Sequence, residues 1–237
     1  MKKLAVVILM VGLCNFAAGQ IIIALLFGEK LNTGKVEFGL VGGPTLTNIS
    51  NIESDNRAGF NLGLYFNIRP DKKFFLHVEG TAKGAFGAKG IIPYSTGNDT
   101  LDHLFGGGSV ERKIKAFGLP VTGRYAITPK FFVDAGVQDN MMLSGNDIVK
   151  AIVNDNELEY TIKVSDQITL LDFGLLGGLH YKFRNDKRSM GIGIRYFQGL
   201  TDILKSIPGT QVNVAWQLVI SIPVGTGKAN GANPSDK

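Results

Sequence analysis

Between residues 60 and 69 the chain reads FNLGLYFNIR, and apolar and polar positions alternate without a break. Phe60, Leu62, Leu64, Phe66 and Ile68 fall on one face, and Asn61, Gly63, Tyr65, Asn67 and Arg69 on the other. An extended backbone sends successive side chains to opposite sides, so this pattern predicts a strand with one apolar face. Near the C-terminus Val212, Val214, Trp216, Leu218, Ile220 and Ile222 alternate in the same way with Gln211, Asn213, Ala215, Gln217, Val219 and Ser221. Six further segments, 35–46, 73–86, 113–126, 131–143, 167–183 and 189–199, follow the rule less strictly. The expectation is an all-β chain of eight strands. Many reach ten residues or more, beyond the about 5–6 of ordinary strands and matched to the about 9–11 that cross a bilayer with tilt.

The connections alternate as well. Short turns follow the second, fourth and sixth strands: Pro70-Asp71-Lys72, Thr128-Pro129-Lys130 and Arg184-Asn185-Asp186-Lys187-Arg188, within which Asn185-Asp186 suits a two-residue hairpin turn. Longer polar stretches, 49–58, 87–112, 144–166 and 200–210, follow the others. Short turns at one end and long loops at the other are the plan of a closed antiparallel up-and-down transmembrane β-barrel, with both termini on the periplasmic, short-turn side. The segments 148–153 and 158–164 flank Asn154-Asp155-Asn156 and predict a hairpin too short to span a bilayer, extending the wall beyond the outer surface. Two additional strands, giving ten, are the alternative.

Composition helps decide which face meets lipid. The polar face is rich in Gly, Asn, Gln and Thr with isolated charges, and small neutral groups suit the narrow interior of eight strands, which side chains must fill. Aromatics on the apolar face lie beside the short turns: Phe66, Phe74, Tyr125, Phe131, Tyr181 and Phe183. That arrangement matches the girdle of a membrane barrel. Inward Tyr65, Phe75, Arg124 and Arg195 would block a pore, and a three-residue turn at Thr128 would set Arg124 opposite Asp134. Leu64, Val78, Leu175 and Leu218 would face lipid. The competing reading is a soluble, lipocalin-like ligand carrier with its apolar face inside.

The N-terminus adds a compartment. Lys2 and Lys3 precede the apolar run 4–16, and Ala17, Ala18 and Gly19 follow, the order of a cleaved signal peptide. The domains expected are a signal peptide over 1–19, a segment over 20–34 read as a short helix or half-strand, a barrel over 35–225 and a polar tail over 226–237. The alternative at the start is an uncleaved anchor. Export discards Cys14, the single cysteine, so no disulfide is expected. The net charge of +5, less Lys2 and Lys3, leaves +3 with signs interspersed, which argues against a nucleic-acid partner.

Candidate chemistry changes this picture little. His77, His103 and His180 lack metal-ligand spacing, and His77 and His180 are expected inside the barrel. Gly225-Thr-Gly-Lys228 lacks the Ser/Thr and helix of a phosphate loop, and Phe105-Gly-Gly-Gly-Ser109 lacks a nucleophile elbow. Asp139, Asp147, His103 and Ser109 are assigned to different long loops. The expectation is therefore no catalytic, cofactor or metal site. The chain reads as a monomeric structural or interaction barrel, partnered by outer-membrane lipid and by other envelope proteins through its loops. A loop-borne lipid or peptide hydrolase is the alternative.

The stretch 24–40, Leu119-Pro120, Asp172-Phe173-Gly174 with Gly178, and Gly199-Leu200-Thr201-Asp202-Ile203 together resemble the PorT-like family of outer-membrane β-barrel proteins. The resemblance covers nearly all of the chain after residue 20. It implies the barrel fold and the outer-membrane location, and it supplies no site residue. Some relatives are linked to protein secretion, a role too particular to transfer on glycine spacing.

Overall fold

Strict alternation over ten or more residues leaves a sheet with one apolar and one polar face, and closing that sheet removes its unpaired edges. The computed structural model describes residues 36–69, 73–185, 189–205 and 207–224. The signal peptide, the segment 20–34, the turn residues Pro70 to Lys72 and the tail 226–237 lie outside the described residues. The strands are β1 (Val36–Ile49), β2 (Asp55–Ile68), β3 (Phe74–Ile91), β4 (Ser109–Ala126), β5 (Phe131–Val153), β6 (Asn156–Lys163), β7 (Leu171–Lys182), β8 (Gly191–Gly199) and β9 (Asn213–Pro223). A short helix, α1 (Asp99–Phe105), stands between β3 and β4.

Eight of the nine strands among the described residues form a closed antiparallel ring, in the order β1-β2-β3-β4-β5-β7-β8-β9, with β9 returning to pair with β1. The ninth, β6, pairs only with the upper part of β5. It is the expected hairpin above the ring, turning at Asn154 and Asp155, both at positive φ.

Strands β3, β4 and β5 outrun their expected bounds, whereas β7 and β8 fall short of theirs. β3 and β4 are 18 residues long and β5 is 23. Bulges explain why simple alternation missed the upper parts of β3 and β5. The β2–β3 and β3–β4 registers both slip at Ala82-Lys83, and inward positions on β3 change from odd to even there. The β4–β5 register slips at Leu143, with the opposite change on β5. In contrast, the strand expected from 167 begins at Leu171, because Ser165–Gln167 form a 3-10 turn.

The short turns test the register directly. Arg124 faces Asp134 across β4 and β5, and Ile127 N–H donates to Phe131 O at 2.9 Å, as a three-residue turn at Thr128 requires. Thr128 Oγ1 accepts from Phe131 N–H at 3.0 Å and fixes the turn. The other two hairpins differ from expectation. Lys182 pairs with Gly191 and Arg184 N–H donates to Ser189 Oγ at 2.7 Å, so the connection is centred one residue beyond Asn185-Asp186. Likewise Ile68 pairs with Leu76, centring the β2–β3 connection one residue beyond Asp71. In both hairpins the register is offset by an even number of residues, so the parity of the inward face is unchanged.

The faces fall as the alternation predicts. Leu175 and Leu218 point outward, as do the rim aromatics Phe74, Tyr125, Tyr181 and Phe183. Tyr65, Phe75, Arg124 and Arg195 are buried inside.

Candidate functional site in the lumen and at its long-connection end

The lumen has two chemically distinct halves. Toward the short-turn rim it is lined by charge. Glu37 on β1 accepts from Tyr65 Oη and Asn67 Nδ2 at 3.0 Å each, and from Arg69, while Lys182 Nζ approaches within 3.5 Å. His77 lies between Asn67 Oδ1 at 2.5 Å and Glu79 Oε1 at 2.6 Å. Glu79 also receives both ends of Arg195, at 2.7 and 3.0 Å. Arg124 grips Asp134 through two bonds of 2.8 Å.

These are not the isolated charges among small neutral groups expected from the polar face. The ion pairs Arg195–Glu79 and Lys182–Glu37 join strands that are not neighbours in the ring and therefore cross the lumen. Cross-strand register finds a pair such as Arg124–Asp134. It cannot find partners on opposite walls. His180 faces inward as expected, its Nε2 3.4 Å from Ser221 Oγ.

Toward the long connections the lumen turns apolar. Ile49, Phe86, Ile114, Met142, Leu176 and Phe197 point inward from the wall. Two connections dip between them, bringing Val164, Ile168, Ile203 and Leu204 to 4 % exposure or less. Ile168 and Leu204 pair as an isolated bridge.

The residues that carried the family resemblance build this cap. Phe173 N–H donates to Thr201 Oγ1 at 3.0 Å, and Asp202 Oδ1 accepts from Gln211 N–H at 3.1 Å and Leu204 N–H at 3.3 Å. Ile203 N–H donates to Gln211 O at 2.8 Å. A side chain on Gly199 would meet Asn213 O at 2.8 Å, so glycine is needed where the chain leaves β8. Asp172 Oδ2 accepts from Asn213 Nδ2 at 2.8 Å just below. No single motif connects these residues, because Phe173 and Thr201 meet only after β7 and β8 fold back on each other.

Above the ring, α1 packs Phe105 against Val110, Val149 and Ala151 on the extensions of β4 and β5. Asn98 caps the helix by accepting from Thr100 and Leu101 N–H. Arg112 holds Asp147 through bonds of 2.8 and 2.6 Å, and Tyr94 Oη donates to the same carboxylate at 2.7 Å. Burial, and then this carboxylate, push the Tyr94 phenol above its ordinary value. The hydroxyls of Ser95 and Thr96 hold the Asp102 carboxyl below its ordinary value.

The loop candidates are not brought together as a catalytic group. Asp147 is buried against Arg112, His103 lies in the last turn of α1, and Ser109 starts β4. Asp139 is on no loop at all; it stands on the outer face of β5 between Leu119 and Phe173. It falls inside the strand expected over 131–143, at an outward position of that alternation. Gly106 to Gly108 only link α1 to β4, and Gly225 to Lys228 lie outside the described residues. Among the described residues no three His, Cys, Asp or Glu side chains gather to hold a metal ion.

A closed antiparallel ring, apolar outside and polar or packed inside, defines a transmembrane β-barrel of the outer membrane. Residues 27–205 match the family described as outer membrane protein beta-barrel domain, and the chain belongs to that family. No curated protein matches the chain. Among solved structures it is similar to Ail, the attachment invasion locus protein of Yersinia pestis in complex with the heparin analogue sucrose octasulfate, at 7% identity. That alignment covers 79% of this chain and 97% of Ail with a TM-score of 0.43. It is also similar to Neisserial surface protein A, at 12% identity over 80% of this chain and 97% of that one, TM-score 0.40. A third is the outer membrane protein OprG from Pseudomonas aeruginosa, at 12% identity over 80% and 94%, TM-score 0.36.

Proposed function

We propose that this barrel is a non-conducting structural or interaction component of the outer membrane, monomeric, with its long connections outside the cell and its termini in the periplasm. The observation that carries this reading is the occupancy of the lumen at two levels. Charged side chains bridge opposite walls below, and Ile168, Ile203 and Leu204 close the apolar half above. A barrel sealed twice along its axis offers solutes no continuous path. What it offers instead is its exterior, presenting α1, the β5–β6 hairpin and the lipid-facing wall to other envelope components. The dispersal of Asp147, His103 and Ser109 favours this over a loop-borne hydrolase. The finer placement among PorT-like barrels rests on Asp172, Gly199, Thr201, Asp202 and Ile203 acting as one cap. Export through a cleaved signal peptide belongs to the same reading.

Planar-bilayer recording tests it. The purified monomer is expected to give no large, steady conductance, and a stable open channel would overturn the proposal. Protease added to intact cells should cut within the connections that hold α1 or the β5–β6 hairpin, and protection of both would reverse the orientation.

A further inference from the structure

The outer wall is not uniform around the ring. At the long-connection end of β8, β9 and β1 the outward positions are Gln198, Val214 and Asn48, which pair in one row and carry no charge. On the β3–β6 side four lysines emerge instead. Lys113 and Lys163 flank Asn146 in a single row of the sheet. Lys115 faces Ser144 below them. Lys83 precedes Gly84, whose partner is Ala116, which sets it diagonal to Lys115.

The β3 bulge turns Lys83 outward, while Lys113 and Lys115 occupy the outward odd positions of the unbroken β4 alternation. Lys83 sits at the β3 bulge, over the outward ring of Phe60 at 5.8 Å. The only carboxylate within ion-pair distance of the four, among the described residues, is Glu111. It lies 3.4 Å from Lys113 and is already engaged by Arg57 at 2.9 Å. Directly beneath the lysines the wall is apolar, with Phe117 on β4 and Met141 and Leu143 on β5. Cationic side chains just above an aromatic and aliphatic band stand at the depth of lipid headgroups, where anionic lipids attract basic clusters.

From this placement we infer that Lys83, Lys113, Lys115 and Lys163 form a binding site for a lipid of the outer leaflet that carries phosphate monoesters. The phosphates lie among the ammonium groups, and the acyl chains run down the wall over Phe117, Met141 and Leu143. The inference rests on the orientation given under the proposed function, since only long connections outside put this wall in the outer leaflet.

The test uses the full chain folded into phosphatidylcholine vesicles, extracted in mild detergent and analysed by native mass spectrometry. It is incubated separately with bisphosphorylated lipid A, the same glycolipid without phosphates, and inorganic phosphate. Retention of the bisphosphorylated lipid alone is expected. The variant K83Q/K113Q/K115Q/K163Q should reduce retention by at least about tenfold, as loss of four membrane-surface cations requires. The four lysine-to-arginine changes should preserve it. The control K89Q/K150Q, with lysines further out on the same extension, should also leave it unchanged. Unchanged retention in the glutamine variant, an equal loss in the control, or equal retention of the phosphate-free lipid would each overturn the inference. Protease protection in the vesicles separates the two proposals. Failure to insert defeats the barrel reading, whereas insertion without lipid retention defeats only this one.

Discussion

The two halves of the lumen seal the same barrel by opposite physical means. In the charged half the side chains are held by direction: Arg124 on Asp134 and Arg195 on Glu79 are two-point contacts with fixed geometry. In the apolar half Ile203, Leu204 and Ile168 are held by exclusion of water and by shape. Charge pairing fixes which wall faces which at a high cost of desolvation. Apolar packing tolerates exchange of similar volumes. Damage to the first half should therefore be specific to pairs, and damage to the second should scale with the space left behind.

The largest expected effect comes from separating a buried pair. Asp134→Ala strands Arg124 and should cost about 3–5 kcal/mol of stability. Adding Arg124→Leu should recover part of that loss. A urea titration of the folded barrel in vesicles checks this, and purely additive losses would mean the pair does not interact. A smaller cavity effect is expected in the other half. Ile203→Ala should cost about 2–4 kcal/mol, while Ile203→Leu should cost little. If Ile203→Leu destabilised as much as Ile203→Ala, the cap would depend on exact geometry and the contrast between the halves would collapse.

The wall itself supplies the third test. Leu218→Arg introduces a charge among lipid tails and should cost about 2–4 kcal/mol near the midplane, less toward a rim. Gln217→Arg, pointing into the charged half, should be milder, and folding yield into liposomes ranks the two. Equal yields would erase the distinction between inside and outside. The smallest effect is one of pH on the outer connections. Asp102 is held below its ordinary carboxylate value by Ser95 and Thr96. A depressed folded value means this contribution is present above the unfolded value of 3.8 and is lost as pH falls through the folded one. The protection of the Thr96 amide from hydrogen exchange, relative to its intrinsic rate, should fall at acid pH, and Asp102→Asn should abolish that change.

Legibility followed from what each element depends on. Strands β2 and β9 were readable because one face is lipid and the other lumen, leaving no reason for the alternation to break. The Arg124–Asp134 contact was readable because a three-residue turn dictates which residues face each other. The upper parts of β3 and β5 were hidden because bulges at Ala82-Lys83 and Leu143 reverse the alternation. The cap was hidden because 200–212 is a loop by composition, and only the apolar wall below makes burial of Ile203 favourable. The transverse pairs Arg195–Glu79 and Lys182–Glu37 depend on ring closure, which no local pattern encodes.

Closure also sets an order of events during folding. Strands β4 and β5 meet across a connection of a few residues, so their hairpin forms with little loss of chain freedom. The seam between β1 and β9 joins residues far apart, as Thr45 and Trp216 are, 171 positions from one another. Contacts of that separation are the slowest to form, so the local hairpins assemble first and the seam zips last. Until the seam closes, the backbone edges of β1 and β9 both stay open, and any factor that handles the nascent barrel has those two edges to grip.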